Sequence, residues 1–293
     1  MNKHRLYEEK PKRLITFGCS FTNYHWITWP EILADTIGCD LYNFAMPSNS
    51  NGIIHNTIMQ ADAILDFNPN DLIMICWSGI LRDAKLINGR WRRTSIMHNF
   101  DIFGEQFLKE MVDPLGYLVE TMAFIKSATD IIDNKKSQFH QFSMSGIFID
   151  EAEPDRLFLS KEHELKIRNL YQKYIDRLYP SMCNVLYNAQ SGKPKIEQMK
   201  VLLGKKDFMD GHPTPDEHIK YIKEIFDFEI SDETYKKVND YLPKMYEIMR
   251  SIDYSVKEPW AIHHKKLLEY KDKNYIVPNL TNNMPLGASF YSW

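Results

Sequence analysis

The chain of 293 residues has only four cysteines, and no two of them are close in sequence. They are Cys19, Cys39, Cys76 and Cys183, and none has clustered histidines beside it. A zinc site or a disulfide framework is therefore not expected. Three of the four fall in or beside predicted buried strands, where a free thiol behaves as a small apolar side chain. We expect no metal and no cofactor.

A strong charge of either sign is also absent. The formal net charge at pH 7 is -3 and the sequence pI is about 6.4, which gives no electrostatic signature of nucleic-acid or anionic-membrane binding. No apolar run approaches the roughly 20 residues that span a bilayer. The first residues, MNKHRLYEEKPKR, lack the apolar segment of a secretory signal. We therefore expect a cytoplasmic protein with no nucleic-acid or membrane partner.

The first eighty residues alternate between buried strands and amphipathic helices. Continuous apolar runs at Leu14–Phe17, Leu41–Ala45 and Leu72–Trp77 predict parallel strands covered on both faces, and the intervening segments have helical spacing. A fourth strand is predicted within Phe139–Met144 and a weak fifth at Val185–Tyr187. This order predicts an α/β fold around a mostly parallel five-stranded sheet.

The first strand leads directly into a glycine turn with a hydroxyl residue, Gly18-Cys19-Ser20. Loops beyond the carboxyl ends of parallel strands form the ligand crevice of open α/β sheets, so Ser20 is a candidate nucleophile. The alternative interpretation is a turn residue at a strand end.

A second segment of interest, Asp210 to His218, lies far along the chain. Thr214 and Glu217 have capping-box spacing with Pro215 at the first helical position, so a helix should begin at Thr214. His212 then lies in the loop before the helix, and Pro213 restricts it to extended geometry. This placement suits a general base, although a loop histidine that merely ties the helix entry would look the same.

Together, Gly18–Thr22 and Asp210–Pro213 resemble the first and last sequence blocks of the SGNH, or GDSL-like, hydrolase family. Asn43–Asn51 is similar to the second block, and Leu72–Gly79 occupies the place of the third. The resemblance covers roughly residues 13–228. It implies a flavodoxin-like three-layer α/β/α sandwich and hydrolysis of an acyl ester, such as an O-acetyl group on a carbohydrate.

The resemblance also implies a role for each matching residue. Ser20 would attack the acyl carbon, His212 would act as base and Asp210 would orient the imidazole. The remaining residues expected in the oxyanion hole or the substrate site are Ser48, Asn49, Asn51, Gly52, Ser78 and Arg82.

The chain departs from the family pattern at three places. Cys19 replaces the aspartate of the GDS signature. The family's acid lies three residues before the histidine, where this chain has Met209; Asp210 lies two before it and Asp207 five before it. The third block also lacks the asparagine that serves the oxyanion hole, and Asn49 or Asn51 is the expected substitute.

Three functional hypotheses follow. The first is a serine esterase or deacylase, the second an acyltransferase on the same scaffold, and the third a non-catalytic binding or assembly protein that retains the fold. The missing asparagine of the third block and the aromatic C-terminal tail favour the third hypothesis, whereas the ordered blocks favour the first.

The expected organisation is an N-terminal arm over residues 1–12, an α/β domain over 13–228 and a C-terminal helical extension with an aromatic tail over 229–293. Residues 78–112 should form a lid or excursion at the carboxyl edge of the sheet. The tail, Tyr275–Trp293, is expected to drape over the domain or to dock on another chain in an oligomer. His263 and His264 are adjacent on a helix and are expected to face solvent.

Overall fold

A computed structural model describes residues 3–87, 90–93, 106, 110, 113–148, 160–189, 191–255 and 259–274. The predicted docking tail, residues 275–293, lies outside the described residues. So does much of the predicted lid, at 88–89, 94–105, 107–109 and 111–112.

The strands are, in chain order, β1 (Arg13–Phe17), β2 (Asp40–Asn43), β3 (Asp71–Trp77), β4 (Ala84–Ile87), β5 (Arg90–Arg93) and β6 (Gln138–Ser143). The helices are α1 (Trp29–Ile37), α2 (Asn51–Leu65), α3 (Pro114–Asn134), α4 (Lys161–Ile175), α5 (Met182–Tyr187), α6 (Lys193–Leu203), α7 (Pro215–Ile225), α8 (Asp232–Arg250) and α9 (Pro259–Asn274).

Four strands form the central sheet in the order β2-β1-β3-β6, and every neighbouring pair is parallel. The predicted α/β class is therefore confirmed. Inside the predicted lid, β4 and β5 make a separate antiparallel hairpin. Because all four central strands run the same way, the loops that follow β1 and β3 meet at one edge of the sheet.

Helices cover both faces of the sheet, which makes three layers. Ile73 and Ile75 of β3 pack into one apolar cluster with residues of α2, α3 and α4. Leu72 and Met74, which alternate with them, pack into a second cluster with residues of α1, α7, α8 and α9. The strands are apolar on both faces because neither face meets water.

The fifth strand, predicted at Val185–Tyr187, is wrong. These residues belong to helix α5, which begins after Ser181, whose side chain accepts the amide of Asn184. Asn188 ends the helix in the left-handed conformation. An apolar run of three residues is too short to distinguish a strand from one helical turn, so the flanking cap residues decide the structure.

A proline inside a helix is expected to interrupt it, but α8 continues through Pro243. Pro243 and Asn239, one turn before it, both lie on the exposed side of the helix. The carbonyl that loses its helical partner can therefore be hydrated, and the helix continues.

The C-terminal helices share an apolar cluster with the sheet. Val238 and Met245 of α8 and Leu267 of α9 are fully buried in the cluster that also contains Leu14 and Leu72. Within the part of the chain described, none of the helices combines the length and the apolar composition needed to cross a bilayer.

We expect Leu267→Ala to lower the free energy of unfolding by about 2 to 5 kcal/mol, because it leaves a cavity in a closed core. The matched control is Leu268→Ala, since Leu268 is 42% exposed whereas Leu267 is 0% exposed. Urea unfolding followed by tryptophan fluorescence and by far-UV circular dichroism measures both variants. Two separated transitions, or equal effects of the two variants, would contradict a core shared with α9.

Candidate active site

The loop after β1 is shaped by Gly18. A Cβ atom at this position would overlap the Thr22 side chain and lie 3.0 Å from the Cys76 carbonyl oxygen, so only glycine fits the close approach to β3. The amides of Thr22 and Asn23 both donate to the Cys19 carbonyl, at 2.9 and 3.1 Å. Ser20 is thereby held at the head of a tight turn beyond the carboxyl end of β1.

The loop before α7 is shaped by a second close approach, between Gly211 and Gly192. A Cβ atom on Gly211 would lie 2.8 Å from the Gly192 carbonyl oxygen. The predicted capping box is present, with the Thr214 amide donating to Glu217 Oε2 at 2.8 Å. The Trp26 indole donates to the Pro213 carbonyl at 2.8 Å, which joins this loop to the segment after Ser20.

These two loops bring together the three predicted residues. His212 Nε2 lies 2.7 Å from Ser20 Oγ, and His212 Nδ1 lies 2.6 Å from Asp210 Oδ1. The His212 amide also donates to Asp210 Oδ1 at 2.9 Å. This tight turn lets an aspartate only two residues before the histidine reach the imidazole ring. Asp207, the alternative acid, is exposed. The arrangement is a serine–histidine–aspartate hydrogen-bonded chain.

Tyr24 fixes the ring from the side. Its aromatic ring stacks on His212 with the ring centroids 3.9 Å apart and an interplanar angle of 20°. Its hydroxyl donates to Asp210 Oδ2 at 2.8 Å. Burial and the Asp210 charge raise the pKa of Tyr24 well above its ordinary value, so the hydroxyl remains a donor.

Asp210 is charged although it is buried. The side chains are 1% exposed for Asp210 and 22% exposed for His212, so the acid is closed off while the base reaches the surface. Burial raises the pKa of Asp210, but the neighbouring His212 and His263 outweigh that effect and leave it well below the ordinary value.

His263 and His264 were expected to face solvent, and that expectation is wrong. His263 is 0% exposed and its Nε2 faces Asp210 Oδ2 at 3.4 Å. The His264 ring stacks on His25 with centroids 3.8 Å apart, and its Nε2 lies 3.3 Å from the Tyr24 hydroxyl. Helix α9 docks with these two histidines toward Asp210 and Tyr24, so the inference that adjacent polar residues on a helix face solvent fails here.

Sequence reasoning therefore missed four residues around Asp210: Tyr24, His25, His263 and His264. Tyr24 and His25 follow Ser20 closely, but nothing local marks them as partners of a distant aspartate. For His263 one signal existed, since it lies four residues before Leu267 and thus on the same helix face.

One group among the described residues has the donor types and spacing for a metal ion. It consists of Asp210, His263 and His264, whose ligand atoms all lie within 4.8 Å of one another. In the structure the Asp210 oxygens are already engaged by His212, Tyr24 and His263. The same atoms therefore serve as hydrogen-bond partners of the serine–histidine–aspartate chain.

The two asparagines expected near the oxyanion hole hold backbone groups instead. Asn49 Nδ2 donates to the Gly18 carbonyl at 3.0 Å. Asn51 Oδ1 accepts the Ser78 amide at 2.8 Å, and its Nδ2 lies 3.2 Å from both the Ser78 carbonyl and Thr121 Oγ1. Asn51 thus ties the loop after β2 to the end of β3. Ser48, with φ of 65°, lies in the turn between β2 and α2.

A cavity of about 190 Å³ opens beside this loop, at the first turn of α2. Of the predicted residues, Asn51, Gly52 and Arg82 line it, whereas Ser20 and His212 do not. The other polar and aromatic lining residues are Ser50, Asn56, Asp83, Tyr117, Glu120, Thr121 and Phe124. The loop over residues 48–52 therefore contacts the Ser20 turn through Asn49 and borders the cavity on its other side.

Comparison with known proteins gives a likeness in structure only. No protein-family model matches the chain, and no curated protein matches it. A GDSL-like lipase from Bacteroides thetaiotaomicron is similar at 14% identity over 76% of this chain and 89% of that chain, with a TM-score of 0.39. A member of the lipolytic protein G-D-S-L family from Veillonella parvula is similar at 11% identity over 73% and 97%, with a TM-score of 0.37.

Both of these proteins are GDSL-like, as are the sequence blocks that this chain resembles. With identities and TM-scores this low, the likeness carries no argument about activity or substrate. The function has to be argued from the geometry of the chain's own residues.

We expect the folded state to lose stability as the pH falls below about 6.5, the ordinary histidine pKa. Burial lowers the pKa of His25 and His218 to about 3 and that of His140 and His264 to about 4. The unfolded chain therefore binds protons that the folded chain cannot take up. As the pH falls, the loss of stability begins near the histidine pKa of the unfolded chain and continues down to the histidine pKa values of the folded chain, about 3 to about 4.

Urea unfolding at a series of pH values from about 7 to about 5 measures this slope. His218→Gln removes one such proton and should lower the slope by up to about 1.4 kcal/mol per pH unit. A stability that stays constant over this range in the unsubstituted chain would contradict the burial of neutral histidines.

Proposed function

We propose that this chain is an SGNH-type serine ester hydrolase that uses Ser20 as nucleophile, His212 as general base and Asp210 as its orienting acid. The observation that carries the proposal is the unbroken chain from Ser20 Oγ through both nitrogens of His212 to Asp210, with contacts of 2.7 and 2.6 Å. Three residues from two distant loops meet at hydrogen-bonding distance with an aromatic ring stacked on the base. Nucleophile, base and orienting group are the parts that activated serine chemistry requires.

The reaction would run in two stages. Ser20 Oγ attacks the ester carbonyl carbon while His212 Nε2 takes the hydroxyl proton, and Asp210 Oδ1 accepts a hydrogen bond from His212 Nδ1–H throughout. The tetrahedral adduct collapses, and the imidazolium gives its proton to the departing alcohol oxygen. Water then attacks the acyl-serine while His212 Nε2 takes a proton from it. The imidazolium returns this proton to Ser20 Oγ as the acyl–oxygen bond breaks and the carboxylic acid leaves.

The developing oxyanion would be met by main-chain amides. The side-chain amides of both asparagines already donate elsewhere. Asn51 Nδ2 donates to the Ser78 carbonyl and Thr121 Oγ1, and Asn49 Nδ2 donates to the Gly18 carbonyl. We therefore assign the oxyanion to the amide of Ser20 and an amide of the loop over residues 48–52. Their rigid placement replaces the missing side-chain donor, each such donor being worth roughly 3 to 4 kcal/mol in the transition state.

The cavity beside this loop suits a polyhydroxylated leaving group, such as the sugar alcohol of an acetylated carbohydrate. Asn56, Arg82 and Glu120 offer hydrogen bonds, and Tyr117 and Phe124 offer aromatic faces. A long acyl chain would leave these charged groups without partners, which costs free energy.

We expect an activated fluorophosphonate to label Ser20 and no other residue. Ser20→Ala should abolish labelling, and His212→Ala should lower kcat/KM for p-nitrophenyl acetate by about 10⁴-fold or more, because the proton acceptor is lost. Ser160→Ala, at the exposed start of α4, is the control. Intact-mass and peptide mass spectrometry locate the label. A label on another residue, or turnover that survives both substitutions, would refute the assignment. Transfer of the acyl group to an added alcohol in preference to water would identify a transferase.

We expect Glu120→Ala to raise the KM for an acetylated sugar by about tenfold, since a hydrogen bond to a charged group is lost. The KM for p-nitrophenyl acetate, which has no sugar, should not change. Val119→Ala is the matched control, because Val119 is an exposed neighbour of Glu120 that does not line the cavity. Steady-state kinetics on both esters test this, and equal effects on the two would place the leaving group elsewhere.

A further inference from the structure

A buried stripe on α9 faces the candidate active site. His263, Leu267 and Lys271 recur every four residues and are 0%, 0% and 8% exposed. Lys271 Nζ donates to the Tyr24 carbonyl at 3.2 Å and pairs with Glu31 of α1. The helix is thus fixed on the segment that follows Ser20, and its other end places His263 against Asp210.

Asp210 uses its two oxygens differently. Oδ1 accepts from the amide and from the ring of His212. Oδ2 accepts the Tyr24 hydroxyl at 2.8 Å and faces His263 Nε2 at 3.4 Å. A buried carboxylate is stable only when donors surround it, so both groups on Oδ2 contribute to holding the charge.

Tyr254 contacts the other ring nitrogen of His263. Its hydroxyl lies 2.7 Å from His263 Nδ1. Burial and the Asp210 charge raise the pKa of Tyr254, so the hydroxyl keeps its proton and can donate it to Nδ1. In the tautomer that accepts this donation, the ring proton lies on Nε2, which is the nitrogen that faces Asp210.

We propose that His263, with its tautomer set by Tyr254, is a positioning residue for the triad that donates from Nε2 to Asp210 Oδ2 and holds the carboxylate turned toward His212. The proposal rests on the proposed function and deepens it, because it makes the C-terminal helix part of the active site. A chain of polar contacts of 2.7, 3.4, 2.6 and 2.7 Å then runs from Tyr254 through His263, Asp210 and His212 to Ser20.

The predicted effect on pH dependence follows from the charges around Asp210. The titratable groups that face it are His212 of its own loop, Tyr24 and His25 after β1, and His263 and His264 of α9, with Tyr254 behind His263. The lowered pKa values of His25 and His264, about 3 and about 4, keep both neutral in the working range. Loss of a donor to the carboxylate raises the affinity of the Asp210–His212 pair for a proton. The acid limb, which is the fall in activity as the pH is lowered, therefore moves to higher pH.

The first test compares His263→Leu with His263→Gln, whose side-chain amide can restore a donor near the position of Nε2. His263→Leu should lower kcat for p-nitrophenyl acetate by about tenfold with little change in KM, since a hydrogen bond to a charged group is lost. It should also move the acid limb of Ser20 labelling by fluorophosphonate to higher pH, and His263→Gln should restore most of both effects. Tyr254→Phe should shift the limb in the same direction, because the Nε2–H tautomer is no longer enforced.

Leu267→Ala is the matched control for a purely structural role of α9. It weakens the packing of the same helix without touching Asp210, so it should lower the thermal midpoint and leave the acid limb where it is. A limb that moves equally in Leu267→Ala and His263→Leu, or that stays fixed in His263→Leu, would overturn the proposal.

A second readout does not depend on activity. In the unsubstituted chain, ¹⁵N-edited spectra of the histidine rings should show His263 protonated at Nε2 and a strongly downfield His212 Nδ1 proton. His263→Leu should shift that His212 proton and Leu267→Ala should not. A His263 ring protonated at Nδ1 alone would refute the positioning contact, whereas failure of Ser20 to label with these resonances in place would refute only the esterase assignment.

Discussion

The arrangement of this molecule depends on one buried charge, the carboxylate of Asp210. A carboxylate that is 1% exposed needs polar partners, and here they come from three separate stretches of chain: His212 and Tyr24 hydrogen-bond to it at 2.6 and 2.8 Å, and His263 on α9 lies 3.4 Å away. The need to satisfy this charge therefore draws the opening loop, the closing loop and the C-terminal helix to one point. Each donor that solvates the acid also orients the base or fixes its ring.

Glycine determines how closely these stretches approach. Gly18 lets the Ser20 turn pack on the end of β3, and Gly211 lets the closing loop pack backbone to backbone against Gly192. Gly211 directly precedes His212, and Gly18 lies two residues before Ser20. The two glycines thus allow the close backbone approaches that shape the site. The asparagines of the loop over residues 48–52 complete it by holding main-chain groups.

Local sequence patterns predicted the strands and helix starts that short-range interactions determine. Continuous apolar runs predicted the central strands, and the Thr214–Glu217 capping box predicted the start of α7. Where the run was short, at Val185–Tyr187, cap residues overrode the apparent strand. The pairing of Asp210 with Tyr24 and His263 could not be predicted in this way, because it joins positions 186 and 53 residues apart through tertiary packing alone.

The involvement of α9 has a consequence for how the site could lose function. Helix ends and C-terminal elements open more readily than central strands, and they do so without global unfolding. Here such an opening would take Lys271 from the Tyr24 carbonyl and His263 from Asp210 in one event, since both lie on one buried stripe. The acid would then face water and the ring of His212 would lose the fixed support of Tyr24. Under the proposed mechanism, the competence of Ser20 is thus coupled to the docking of a helix more than 230 residues further along the chain.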